Sequence, residues 1–134
     1  MNLFTYGTLM FPEIWRQVVG RQFATATAVL AGYAAYRVRN GVYPVMVSAE
    51  PESRTSGLIY FDVDVASLAL LDEYESDLYA RVPIVATADD GRPIECQAYV
   101  LPAPRQGFAS DELWDAARFE QEVLRDYLKK LSDD

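Results

Sequence analysis

Two turn signals constrain this chain most: Asn40-Gly41 and Asp89-Asp90-Gly91, each set between β-prone runs. Asn-Gly reverses a chain tightly because both residues accept positive φ, and the flanking strands then pair antiparallel. Thr27 to Arg39, rich in Val, Tyr and Ala, is thus expected to pair with Val42 to Ser48. Pro44 puts the returning strand at an edge or a bulge, since proline cannot donate to a central ladder. Arg81 to Ala88 and Ile94 to Leu101 form a second hairpin on the same grounds. Leu3 to Tyr6 and Gly57 to Val63 read as further strands, and the polar segment Ala49 to Ser56, with Pro51, as a loop.

Helical signals interrupt these hairpins. Pro12 is tolerated in a first turn, and Ile14, Trp15, Val18 and Val19 give an apolar face that Gly20 ends. Asp64 caps a helix from about Val65 to Tyr74, with Leu68, Leu71 and Leu70 turned inward. After the breaker-rich Pro102 to Gly107, Ser110 starts a last helix of about 111–131. Its Leu113, Trp114, Val123, Leu124, Tyr127, Leu128 and Leu131 fall mostly at helical spacing, and the tail Ser132-Asp133-Asp134 is solvated. Hairpins outnumber β-α-β units, which predicts an α+β fold: a small, mostly antiparallel sheet with about three packed helices. Closing that sheet into a barrel removes the exposed edges it otherwise leaves. At 134 residues, the whole span 1–134 is expected to be one domain.

Composition excludes several kinds of chemistry. The net charge of −8, with basic residues scattered singly, argues against nucleic acid. No run approaches the roughly 18 to 20 apolar residues of a membrane span, and the first residues lack a secretion signal, so no membrane partner and a cytoplasmic location are expected. The single Cys96 forms no internal disulfide. The chain contains no histidine, which rules out Ser-His-Asp and Cys-His arrangements and makes a zinc site improbable. Neither a metal nor a cofactor is expected. Acid–base chemistry near neutral pH then falls to a carboxylate, a lysine, a tyrosine or the lone thiol.

Two segments carry such candidates. In Tyr6-Gly7-Thr8-Leu9 a glycine directly after a strand lets the backbone approach a ligand, and successive N–H groups can form an anion-binding concavity. A tight turn with no ligand explains the same residues. In Leu71-Asp72-Glu73-Tyr74-Glu75 helical spacing puts Asp72 and Glu75 on one side and Glu73 away from them. Glu75 stands where helix gives way to loop, a position equally suited to a cavity wall and to solvent. Arg81 can serve simply to neutralise this acidic cluster. Tyr43-Pro44 can present a phenol to a pocket or lie on an edge strand, and Cys96 reads as inert packing.

Taken in order, Tyr6-Gly7-Thr8-Leu9, Gly41-Val42-Tyr43-Pro44, Gly57-Leu58-Ile59-Tyr60 and Leu71-Asp72-Glu73-Tyr74-Glu75, with Tyr79 and Arg81, resemble the gamma-glutamylcyclotransferase-like family. Tyr6 to Glu13 is most similar to its avirulence-induced-protein branch. The resemblance covers about residues 2–101. It implies a small β-barrel with helices around it and a pocket in which Glu75 is general acid/base. It further implies that Tyr6, Gly7, Thr8, Leu9, Tyr43, Tyr79 and Arg81 bind a small molecule with a free carboxylate and α-amine. The implied reaction cyclises a γ-glutamyl amine or peptide to 5-oxoproline and releases the amine. A non-catalytic domain binding a small carboxylate, or a different acyl-transfer or amide-cleaving reaction in the same pocket, are the alternatives; the oligomeric state is left open.

Overall fold

The computed structural model describes residues 1–133. Its elements in order are β1 (Leu3–Thr5), α1 (Pro12–Val18), β2 (Thr25–Ala31), β3 (Tyr33–Val38), β4 (Pro44–Ser48), β5 (Arg54–Tyr60) and α2 (Val65–Glu75). They continue with β6 (Ala80–Ala88), β7 (Pro93–Val100), β8 (Ala109–Leu113), α3 (Ala116–Glu122) and α4 (Leu124–Asp133). Short 3-10 turns cover Thr8–Met10, Ser76–Leu78 and Ala103–Phe108. The fold is α+β. Five strands close a barrel in the order β1-β5-β2-β6-β7, and β4-β3-β8 form a second, three-stranded sheet. Every barrel pairing is antiparallel except the seam, where β1 meets β7 in parallel at Leu3 and Gln97.

Alternation along the strands divides the core in two. Phe4, Ala28, Leu30, Ile59, Ala86 and Ala98 pack together as one cluster, in keeping with one face of the strands, and the small members suit the narrow interior of a five-stranded barrel. The opposite parity, Leu3, Tyr60 and Tyr99, packs with Ile14, Trp15 and Leu71 beneath the helices. Trp15 stacks on Tyr60 with ring centroids 3.6 Å apart and planes 5° from parallel. Among the described residues, no helix is long and apolar enough to cross a membrane.

Several sequence expectations are corrected. Thr27 to Arg39 is not one strand. Gly32, at φ 81°, turns the chain out of the barrel, so β2 and β3 belong to different sheets. The first hairpin forms, with β4 at a sheet edge as Pro44 requires, but Arg39 to Tyr43 connect it and only Asn40 takes positive φ. β5 starts at Arg54, inside the expected loop, because it must span β2 as far as Ala31.

The last expected helix is wrong at its start. Ala109–Leu113 pair with β3, and the Ser110 hydroxyl donates to the Arg37 carbonyl at 2.6 Å rather than capping a helix. Tertiary pairing overrides local helix chemistry here. Asp115 is the actual cap, accepting the Arg118 N–H at 3.1 Å. The helix then breaks at Val123, so the described residues hold four α-helices where about three are expected. Leu70, expected inward, is 45% exposed, whereas Leu68 and Leu71 are buried. Ser132 is exposed as expected, and the expected solvation of the Asp133 side chain and of Asp134 lies outside what is described.

Candidate active site

A cavity of about 220 Å³ opens where the end of β1 faces the end of α2. One wall is Tyr6-Gly7-Thr8-Leu9. Buried Leu3 and Phe4 anchor the strand before it, and Tyr60 steadies its far side by donating its phenol to the Leu9 carbonyl at 2.8 Å. The first turn of a helix leaves N–H groups unpaired. Accordingly, the Thr8 and Leu9 N–H groups have no backbone acceptor among the described residues, whereas Met10 and Phe11 donate to Gly7 and Thr8 carbonyls. Gly7 is required for a packing reason: a Cβ there would stand 2.3 Å from Cγ of Pro44. Gly7→Ala must therefore push the loop off β4. Overpacking of this kind costs about 1–3 kcal/mol, and the displaced loop is expected to lose ligand affinity as well. A variant with unchanged Tm would show that the contact yields.

The facing wall is the C-terminus of α2. Buried Leu68 and Leu71 fix the helix against the core, and the helix stops at Ser76, whose φ of 65° turns the chain away after Glu75. Left-handed backbone on a non-glycine residue is strained, and such strain persists where the surroundings impose it. Glu75 contributes the only charged side chain to the cavity lining among the described residues. Glu75 is half-buried, as befits a group whose carboxyl lines a cavity. Burial alone pushes it up from 4.5 to about 8.

That shift has a stability consequence. Between the unfolded value near 4.5 and the folded value of about 8, the folded chain holds a proton that the unfolded chain has lost. The resulting stabilisation is complete below pH 4.5 and disappears as pH rises through 8. Thermal denaturation from pH 5 to pH 9 should show the wild type losing Tm relative to Glu75→Gln. Parallel Tm curves would mean that Glu75 titrates normally.

Tyrosines surround this carboxyl. Tyr6 donates to the Tyr99 carbonyl at 2.6 Å and Tyr79 to the Pro44 carbonyl at 2.6 Å, while the Tyr99 phenol donates to Asp72 Oδ1 at 2.6 Å. Thr8 Oγ1 lies 2.8 Å from the Tyr74 phenol, which also bonds the Tyr127 phenol. Burial raises the pKa of Tyr6, Tyr74, Tyr79, Tyr99 and Tyr127, with Glu75 as a lesser contributor in each, so all five remain donors at neutral pH.

Of the residues singled out from sequence, Tyr6, Gly7, Thr8, Leu9, Tyr43, Glu75 and Tyr79 line the cavity together. Arg81 does not. Its guanidinium grips Asp72 through Nε at 3.0 Å and Nη2 at 3.2 Å, and reaches Gln97 Oε1 at 2.8 Å. It is linked to the cavity wall only through Asp72, which accepts the phenol of the lining residue Tyr99. Sequence reasoning missed Tyr74, Tyr99 and Tyr127. The available signal was chemical: a buried tyrosine needs a partner for its hydroxyl, and a helix face read as plain core makes no provision for one.

Residues 3–116 match the family model described as Gamma-glutamyl cyclotransferase, AIG2-like. AIG2-like protein D of Arabidopsis thaliana is 27% identical over 130 residues, covering 96% of this chain and 84% of that protein. In three dimensions, the solution structure of another Arabidopsis thaliana protein superposes with a TM-score of 0.74 at 23% identity, over 98% of this chain and 79% of its own. A gamma-glutamyl cyclotransferase structure gives 0.63 at 13% identity, over 98% and 86%. At these identities the structural likeness establishes the fold.

Proposed function

The chain belongs to the gamma-glutamyl cyclotransferase, AIG2-like family, and from that premise we propose that it cyclises a γ-glutamyl amine or peptide to 5-oxoproline, with Glu75 as general acid/base. The observation that carries this reading is the desolvated Glu75 carboxyl sharing one small cavity with the Gly7-Thr8-Leu9 turn. The cavity is smaller than the roughly 300–1,000 Å³ of sites that take drug-sized ligands, which suits a compact substrate.

The reaction needs little beyond positioning and one proton carrier. The substrate's α-amine attacks its own γ-carbonyl; a C–N bond closes the five-membered ring and the amide C–N bond to the leaving amine breaks. Nucleophile and electrophile share one molecule, so holding the folded conformer removes much of the barrier. The attacking nitrogen gives up a proton to Glu75, and the leaving nitrogen receives one from it. A carboxyl raised to about 8 suits both transfers near neutral pH, because it binds and releases a proton with similar ease. The N–H groups of the Gly7 to Leu9 turn hold the substrate's α-carboxylate. Tyr6, Tyr43 and Tyr79 shape the cavity around it.

A carboxyl able to bind and release a proton near neutrality serves proton transfer, which simple capture of a carboxylate does not require, and this favours catalysis over binding. A panel of γ-glutamyl amines and peptides, with 5-oxoproline followed as product, tests the reading. No turnover across the panel, alongside intact binding of 5-oxoproline, would leave the chain as a binding domain.

A further inference from the structure

Helix α4 lies beyond residue 116, where the family match ends, yet its Tyr127 lines the same cavity as Glu75. The Tyr127 phenol bonds Tyr74, and Tyr74 bonds Thr8 Oγ1. Three hydroxyls joined by two hydrogen bonds spend two of their three hydrogens, and no acceptor among the described residues takes the third. Of the other cavity phenols, Tyr6, Tyr79 and Tyr99 are each committed to a fixed carbonyl or carboxylate, and among the described residues Tyr43 is the one whose hydroxyl is not. Burial holds Tyr74 and Tyr127 protonated, so the spare hydrogen persists across the working pH range. Tyr74 and Tyr127 are half-buried and line the cavity, so the spare hydrogen is open to an oxygen of a ligand that enters it.

Resting on the γ-glutamyl reading, we propose that the Thr8–Tyr74–Tyr127 hydroxyl chain belongs to the substrate site and runs from Thr8 to Tyr127, whose phenol donates the spare hydrogen to the substrate's α-carboxylate. Thr8 and Leu9, whose N–H groups have no backbone acceptor among the described residues, line the same cavity as Tyr127, so one carboxylate can accept from both walls. The last helix thereby becomes a substrate-binding element that the family-matched stretch does not contain.

The test varies enzyme and substrate together. Wild type and Tyr127→Phe are assayed on a γ-glutamyl alkylamide and on the 4-aminobutanoyl amide of the same amine, which lacks the α-carboxylate and cyclises to 2-pyrrolidinone. A hydrogen bond to a charged group is worth about 10- to 100-fold. It is present in ground and transition states alike, so it acts on KM. Tyr127→Phe should raise KM for the γ-glutamyl substrate about 10-fold, keep kcat within about twofold, and leave the analogue within about twofold of wild type. Calorimetry with 5-oxoproline and 2-pyrrolidinone reads the same cycle without turnover. Equal losses on both substrates or both lactams, or no loss on either, overturn the proposal while the γ-glutamyl reading stands. A wild type that neither turns over the γ-glutamyl amide nor binds 5-oxoproline overturns that reading, and this proposal with it.

Discussion

Glu75→Gln is expected to lose roughly 10²- to 10⁴-fold in kcat, the range attributed to a positioned general acid/base. The substitution keeps the shape of the side chain and its place at the end of α2 but removes the one group in the cavity lining able to gain and lose a proton near neutrality. At about 1.4 kcal/mol per factor of ten, this is a barrier increase of about 3–5 kcal/mol. Unfolding cannot be the cause, because a neutral amide avoids the cost of ionising a buried carboxyl and the variant should be the more stable protein at alkaline pH. The wild-type kcat/KM should rise with pH along a limb near 8, where Glu75 becomes able to accept a proton. A Gln variant within about tenfold of the wild type would remove Glu75 from the mechanism.

Gly57→Ala is the second large effect, and it acts on the barrel. Gly57 lies in β5 between β1 and β2, and an added Cβ would sit 2.2 Å from the Thr5 carbonyl oxygen and 2.5 Å from the Phe4 ring. The oxygen belongs to a strand backbone and the ring is fully buried, so neither can step aside cheaply. Overpacking usually costs about 1–3 kcal/mol and occasionally more; the upper end is expected here, a Tm drop of about 10 °C. The neighbouring β1 leads directly into Tyr6-Gly7, so the displaced strand should also weaken ligand binding. A Gly57→Ala protein with wild-type Tm would mean that the barrel opens locally without cost.

The hairpins and the α1 and α2 helices were legible because each rests on local chemistry: Asn-Gly, Asp-Asp-Gly, a helix-opening Pro12 and Asp64 at the start of α2. Asp64 nevertheless accepts the Ser67 hydroxyl at 2.6 Å and makes no side-chain bond to a helix N–H. Ser110 to Leu113 was not legible. A Ser-Asp-Glu start favours a helix locally, and only pairing with β3 makes a strand of it. Gly32 was missed because a sheet change reads, within one β-prone run, like continuation of the strand. At the site, local chemistry alone left Glu75 and the Tyr6 to Leu9 turn open to plain structural readings. The ordered motifs of the family brought them together, and they line one cavity. Tyr127 lay beyond both kinds of signal, on a helix face whose spacing describes packing and says nothing of where a hydroxyl points.

The parallel seam of the barrel also determines when the site comes into being. β1 is three residues long and meets β7 in register only at Leu3 and Gln97, aided by the Gln97 N–H donating to the Asn2 carbonyl at 2.9 Å. The tyrosines that frame the cavity inherit this distance: Tyr6 and Tyr99 are 93 positions apart in the chain. Hairpins such as β6–β7 form from local contacts, whereas so distant a closure bears a large entropic cost and comes late. A growing or refolding chain thus acquires nearly all its secondary structure before it has any pocket. Ligand binding then reports on the last step of assembly, and a ligand that bridges the loop and α2 stabilises the junction where the chain's beginning meets its later half.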